Sequence, residues 1–305
     1  MLNRWWVYQR ERFPVLKNGA IIAVFSSSAV SYSALLRGQT AVPNSGSLLV
    51  AFLSLFLFFL QLRIADEFKD FEDDAQYRPY RPVPRGLVSL RELGAVGAAG
   101  AAIQLAVALW LTPALALLLG LAWFYLALMT QEFFVRGWLK AHPLMYMCSH
   151  MVIVPVINFY ATACDWLSAG GQPPAGLTWF LAVSFFNGSV IEIGRKIRAP
   201  QDEEIGVETY SALWGRRHAV LAWLLALGLT ATAAFFAAGQ INFAPAVTGL
   251  IAILLSAGVS LAWFFLQRPT TKWANLIDTI SGLWTLLLYL QLGILPLLLR
   301  FSHTR

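Results

Sequence analysis

Apolar runs of about 20 residues recur along the chain, broken by short stretches rich in charge or proline. A helix needs about 20 mostly apolar residues to cross roughly 30 Å of hydrocarbon, so each run predicts one crossing. The runs fall at 16–36, 47–65, 93–111, 113–133, 143–163, 177–195, 218–240, 245–266 and 279–299, which predicts nine spans. Pro113, Pro143 and Pro245 stand where three of them begin. Proline suits a first helical turn, because the N–H it lacks would have no partner there. Only Thr112 and Pro113 separate the third and fourth runs. Gly94, Gly97 and Gly100 interrupt an alanine-rich stretch and suit close helix packing in lipid.

Composition supports this pattern. The 305 residues are 58% hydrophobic and only 12% charged, about half the charge of a soluble domain. That excludes a soluble globule, a disordered chain and a fibrous repeat, and predicts an all-α integral membrane bundle. Cys148 and Cys164 both sit in apolar runs and form neither a disulfide framework nor a metal knuckle. The opening MLNRWWVYQRERFP is too charged for a cleavable leader. With nine crossings and a cytoplasmic N-terminus, all 22 Lys and Arg except Arg37, Arg300 and Arg305 fall on the cytoplasmic side. The positive-inside rule therefore fixes the expected orientation, with the C-terminus opposite, in a bacterial inner membrane. Trp5, Trp6, Trp138, Trp166, Trp179 and Trp273 lie near span ends, where interfacial aromatics belong.

The acidic residues concentrate in two segments on that same side. Asp66, Glu67, Asp70, Glu72, Asp73, Asp74 and Glu92 follow the second span. Glu192, Asp202, Glu203, Glu204 and Glu208 follow the sixth. Asp66, Asp70 and Asp74 are spaced four apart, so a continuous helix would stack them on one face, drifting about 40° per step. Like charges at that spacing repel. A divalent cation offsets the repulsion, and Mg2+ characteristically takes one or two carboxylates plus substrate phosphates. Arg78, Arg81 and Arg85 follow, between Pro79, Pro82 and Pro84. Guanidinium groups match phosphate oxygens bidentately, so the stretch reads as a pyrophosphate site. In the second segment, Arg195, Lys196 and Arg198 form a basic patch beside Asp202, Glu203 and Glu204, with Glu192 paired at i, i+4 to Lys196. That patch fits either a second phosphate and metal cradle or a salt-bridged loop.

On these residues the chain resembles the UbiA superfamily of intramembrane prenyltransferases. The family's first motif, N-D-x-x-D-x-x-x-D followed by R-P-x-x-S-G, aligns with DEFKDFEDD and RPVPRG. Asp70 and Asp74 match the later aspartates, Asp66 and Glu67 stand at its Asn and first Asp, and Arg81, Pro82 and Gly86 match the tail. The second motif, D-x-x-x-D then G-x-x-T and a later glycine, is matched by Asp202, Gly206, Thr209 and Gly215. Arg198 replaces its first aspartate. Lys140, after the fourth span, resembles a basic residue the family places there.

The resemblance implies nine helices around a lateral cavity, one transmembrane unit over 1–305, and cytoplasmic motif segments at 66–92 and 192–217. It implies Mg2+-dependent transfer of an isoprenoid from a prenyl pyrophosphate to an aromatic or apolar acceptor, with membrane lipids as neighbours and no nucleic-acid partner. The expected catalytic set is Asp70, Asp74, Asp202 and Lys140. The expected metal ligands are Asp66, Glu67, Asp70, Asp74, Glu192 and Asp202. Arg78, Arg81, Arg85, Arg195, Lys196 and Arg198 are expected to hold pyrophosphate. Phe58, Phe59, Phe133, Tyr160, Phe185 and Phe186 are candidates either to face a cation-like allylic carbon or simply to pack. His150, Asn158 and Asn187 are polar within spans and fit either acceptor contact or helix packing. The Arg198 departure leaves room for transfer to a polyprenyl phosphate, as in phosphoribosyl-transferring relatives. A lipid-binding or transporting relative is the other alternative, with Glu132 its main mid-span charge.

Overall fold

The computed structural model describes residues 2–303, and every regular element among them is helical. A surface helix α1 (Leu2–Arg12) leads into α2 (Val15–Leu36) and α3 (Ser45–Lys69). The short α4 (Phe71–Tyr77) precedes α5 (Leu90–Leu111) and α6 (Leu115–Thr130). Then come α7 (Arg136–Ala141), α8 (Pro143–Met151), α9 (Ile153–Trp166) and α10 (Leu177–Arg195). The four-residue α11 (Tyr210–Leu213) is followed by α12 (Arg216–Gln240), α13 (Ala244–Gln267), α14 (Thr271–Tyr289) and α15 (Leu295–His303).

Eight helical stretches are long and apolar enough to cross a membrane, with α8–α9 and α14–α15 each counted as one. The ninth expected span is α6, only 16 residues and so about 24 Å long. The chain is an integral membrane protein built as an all-helical bundle.

The sequence explains where the elements start and stop. Ser89 and Glu92 form a reciprocal capping box at the start of α5, and the Asn44 side chain accepts from the Gly46 N–H at the start of α3. Pro143 and Pro245 occupy first-turn positions of α8 and α13. The run expected at 143–163 breaks at Val152, because Pro155 has no N–H to give the Met151 carbonyl. Before Pro296 the helix widens into a π turn over Leu290–Ile294. The run expected to reach residue 133 stops at Thr130. Glu132, Phe133 and Phe134 then adopt left-handed backbone at φ 48°, 53° and 60°. Glu132 is therefore not a mid-span charge: it is buried in this turn beside Arg136.

Contacts sort the two ends of the bundle. At one end Arg37 and Ser33 bind Asp165 from α2 to α9. At the other, Arg12 pairs with Glu67, Arg4 with Glu92 and Glu11 with Arg85, so α1 lies across the ends of α3 and α5. Arg305, assigned above to the less charged side, lies outside the described residues. Within the bundle, α10 packs on α12 and α14, and α2 on α9 and α3. Gly94, Gly97 and Gly100 face α3, with Phe68, Ile64 and Leu57 in van der Waals range of a Cβ built at each. Trp166, at the end of α9, is buried with its ring against Phe159.

Gly293, in the π turn, marks a close backbone crossing. A Cβ there would overlap the Ser28 backbone of α2, whereas one at Gly282 meets open space. Gly293→Ala is expected to cost about 2 kcal/mol or more and to lower the apparent melting temperature of the solubilised protein. Gly282→Ala should leave it unchanged.

Candidate functional site at the charged end of the bundle

The two charged segments are more than 100 positions apart in sequence and pack against each other. Gly206 has φ +78°, and a Cβ there would overlap the Tyr77 ring. The Tyr80 hydroxyl donates to Glu204 at 3.4 Å. The second segment is shaped from within: the Thr209 hydroxyl donates to Glu203 at 2.6 Å and also accepts from the Ala212 N–H. Thr271, at the start of α14, donates to Asp202 at 2.9 Å.

The three aspartates do not share one helix face. α3 ends at Lys69, Asp70 caps it and α4 begins at Phe71, so Asp74 belongs to a different helix from Asp66. Asp74 is nearly fully buried, and both its oxygens are engaged, by Arg78 and by Arg81, each at 2.6 Å. It anchors the arginine–proline loop, where the aspartate spacing led to the expectation of a metal ligand. Glu67 is also corrected. It is one position on from Asp66 and so about 100° around the helix, where it is buried and paired with Arg12. Arg85, expected on phosphate, donates instead to Glu11 and to the Tyr80 carbonyl.

Asp66 and Asp70 remain at the charged mouth of the bundle, where Asp66 lines the cleft that opens from it. Asp66 has a single loose partner, Arg63 at 3.4 Å. Asp70 has no side-chain hydrogen bond or ion pair among the described residues. Burial, reinforced by Asp66 and Asp74, raises its carboxyl above the usual range, and the Lys69 and Arg78 charges offset this only in part. Arg195 lies within electrostatic reach of both Asp66 and Arg63. Glu192, expected as a metal ligand, binds Arg195 at 2.5 Å and Lys196 at 2.9 Å on its own helix. Beside them the Tyr210 hydroxyl is buried, which pushes its titration upward. Among the described residues no three His, Cys, Asp or Glu side chains form a preassembled metal cluster.

Two expected residues stay outside this group. Arg198 is exposed, and only its backbone N–H is engaged, by Ser211. Lys140 is exposed on α7. Neither side chain has a hydrogen bond or ion pair among the described residues. The sequence reading passed over Arg63, Lys69 and Tyr146. Lys69 donates to the Tyr146 hydroxyl at 2.5 Å, joining α3 to α8. Arg63 was signalled only by its i, i+3 spacing to Asp66.

From the mouth a cleft of about 400 Å³ opens between the α1–α2 junction, α3 and α10. Its rim carries Arg12, Arg63 and Asp66, and its walls Ile21, Ile22, Phe25, Phe59, Leu62 and Ile191. Of the aromatic candidates, Phe59 lines this cleft and Phe133 stands edge-on to His150. Phe58 and Tyr160 are packed against each other in the core, and the Phe185 and Phe186 rings pair with each other.

The sequence profile described as the UbiA prenyltransferase family matches residues 23–287. No curated protein sequence matches the chain. Among solved structures, the chain is similar to an apo UbiA homologue from Aeropyrum pernix K1 (TM-score 0.66, 16% identity, 86% of this chain and 94% of that one). It is also similar to a digeranylgeranylglyceryl phosphate synthase (TM-score 0.60, 13% identity, 98% and 99%). A third is a UbiA homologue from Archaeoglobus fulgidus bound to DMAPP and Mg2+ (TM-score 0.57, 14% identity, 97% and 99%).

Proposed function

Since this chain belongs to the UbiA prenyltransferase family, we propose that it transfers an isoprenoid from a prenyl pyrophosphate to an aromatic or apolar acceptor within the membrane. The observation that carries this reading is a charged mouth continuous with an apolar cleft. That combination matches a donor with a phosphate head and a hydrocarbon tail. The relative bound to DMAPP and Mg2+ agrees with it. In this reading the charged end is cytoplasmic, as the basic residues require.

Asp66 and Asp70 suit a Mg2+ ion shared with substrate. Two carboxylates, one of them desolvated and unpaired, fit an ion that completes its shell with water and phosphate oxygens rather than an all-protein cage. When bound there, Mg2+ supplies positive charge against the leaving pyrophosphate. The chain's own cations act in the same sense. Arg63 and Arg195 neutralise charge that develops as the C1–O bond breaks, and Asp74 holds Arg78 and Arg81 pointed from the neighbouring loop. The apolar walls keep water from the allylic carbon, and the Phe25 and Phe59 faces favour its positive charge. The acceptor captures it.

Membranes from cells producing the protein should incorporate labelled geranyl pyrophosphate into new isoprenoid products, resolved by mass spectrometry of the lipid extract. EDTA is expected to abolish incorporation and added Mg2+ to restore it. Incorporation that is indifferent to EDTA, or no product beyond that of control membranes, contradicts the proposal.

A further inference from the structure

One buried group at the mouth is unused by the chemistry above. His150, near the end of α8, is only 8% exposed. Its Nδ1 lies 2.8 Å from the Tyr146 carbonyl oxygen. A carbonyl only accepts, so Nδ1 carries the hydrogen, and in the neutral ring Nε2 is a bare lone pair. Nε2 is buried and has no hydrogen-bond partner among the described residues. The ring is held in place by stacking on Tyr146 (centroids 4.0 Å apart, 17° between planes) and by the edge of Phe133. Tyr146 is itself fixed by Lys69. The link of His150 through Tyr146 to Lys69, the residue before Asp70, places it beside the charged segment.

A buried acceptor atom without a partner is unfavourable, and in native proteins it calls for an explanation. Here one nitrogen is committed to orienting the ring and the other is left open. The Phe133 and Tyr146 rings that frame the imidazole favour a flat ligand.

Building on the prenyl-transfer reading, we propose that His150 Nε2 accepts the O–H or N–H of a flat acceptor substrate and takes its proton during transfer. The acceptor heteroatom donates a lone pair to C1 of the donor, and the C1–O bond breaks with its electron pair leaving on pyrophosphate. The heteroatom–hydrogen bond gives its pair back to the heteroatom as the proton passes to Nε2. The imidazolium keeps Nδ1–H on Tyr146 and returns the extra proton to water once products leave.

The test uses the full chain in lipid nanodiscs, with 2-naphthol and 2-methoxynaphthalene as a hydroxyl and capped pair. Wild type should bind the naphthol about tenfold more tightly than its ether. His150→Phe, which keeps an aromatic ring for Tyr146, should bind the two equally. A wild type without preference, or a preference that survives in His150→Phe, overturns the proposal. A second readout needs no variant: in 15N-histidine-labelled wild type, the unprotonated Nε2 signal should shift on adding naphthol and not on adding the ether. An unmoved signal overturns the proposal. Mg2+-dependent binding of geranyl thiolopyrophosphate, measured in parallel on wild type and Asp70→Asn, reads the donor site by itself. Loss of the naphthol preference in His150→Phe with no Mg2+-dependent donor binding anywhere would leave the hydrogen bond to His150 Nε2 standing and overturn the prenyl-transfer reading together with the proton transfer that rests on it.

Discussion

Asparagine in place of Asp70 will lower Mg2+-dependent incorporation of geranyl pyrophosphate about a hundredfold or more, with little change in melting temperature. Asp70 caps α3 through its backbone, and its side chain has no hydrogen bond or ion pair to lose among the described residues, so the fold does not depend on its charge. What depends on it is the capacity to hold a divalent ion against phosphate, and a hundredfold corresponds to about 2.7 kcal/mol of transition-state stabilisation. Arg81→Ala should also cost activity, for a different reason and with a different signature. It strips one of two cations from the buried Asp74 carboxylate, so stability falls together with rate. Full activity in Asp70→Asn would remove the carboxylate mouth from the chemistry.

The second large effect concerns the seam between the charged segments. Gly206→Ala adds a Cβ that meets the Tyr77 ring and also strains a left-handed backbone, which alone costs about 1–2 kcal/mol. Gly38 has nearly the same φ, +77°, but open space around it. Its alanine variant therefore bears the backbone cost alone. Incorporation of labelled donor should fall at least about tenfold in Gly206→Ala and distinctly less in Gly38→Ala. Equal losses would mean that the contact between the segments has no part in the site.

How far the sequence carried can be judged from these same residues. The spans were legible because crossing hydrocarbon demands a composition that nothing else needs. The glycine stripe of α5 was legible because small residues three apart share a face. Breaks inside spans were not, because Pro155 and Pro296 act through hydrogen bonds that apolar runs do not reveal. The stacked-aspartate picture presumed an unbroken helix; the break at Asp70 sent Asp74 to its arginines. That pairing was present in the sequence as opposite charges at i, i+4. Glu67 and Arg85 left the expected site because α1 folds back over the ends of α3 and α5. Nothing local in either residue announces this. The meeting of the two segments was legible from their charges only as one of two open readings, since no spacing rule joins Tyr77 to Gly206. Arg63, Lys69 and Tyr146 were missed because a single charge or phenol near a span end has no signature until its neighbour is known.

The central claim is that Asp66 and Asp70 hold a divalent ion that bridges to a prenyl pyrophosphate at this mouth. It is tested most directly by an experimental structure of the protein with Mn2+ and geranyl thiolopyrophosphate, located by manganese anomalous scattering. The account predicts an anomalous peak coordinated by Asp66 or Asp70 and by a phosphate oxygen, with the hydrocarbon tail between Phe25 and Phe59. A peak on Asp74 or Glu67, or a donor bound away from this cleft, would contradict it.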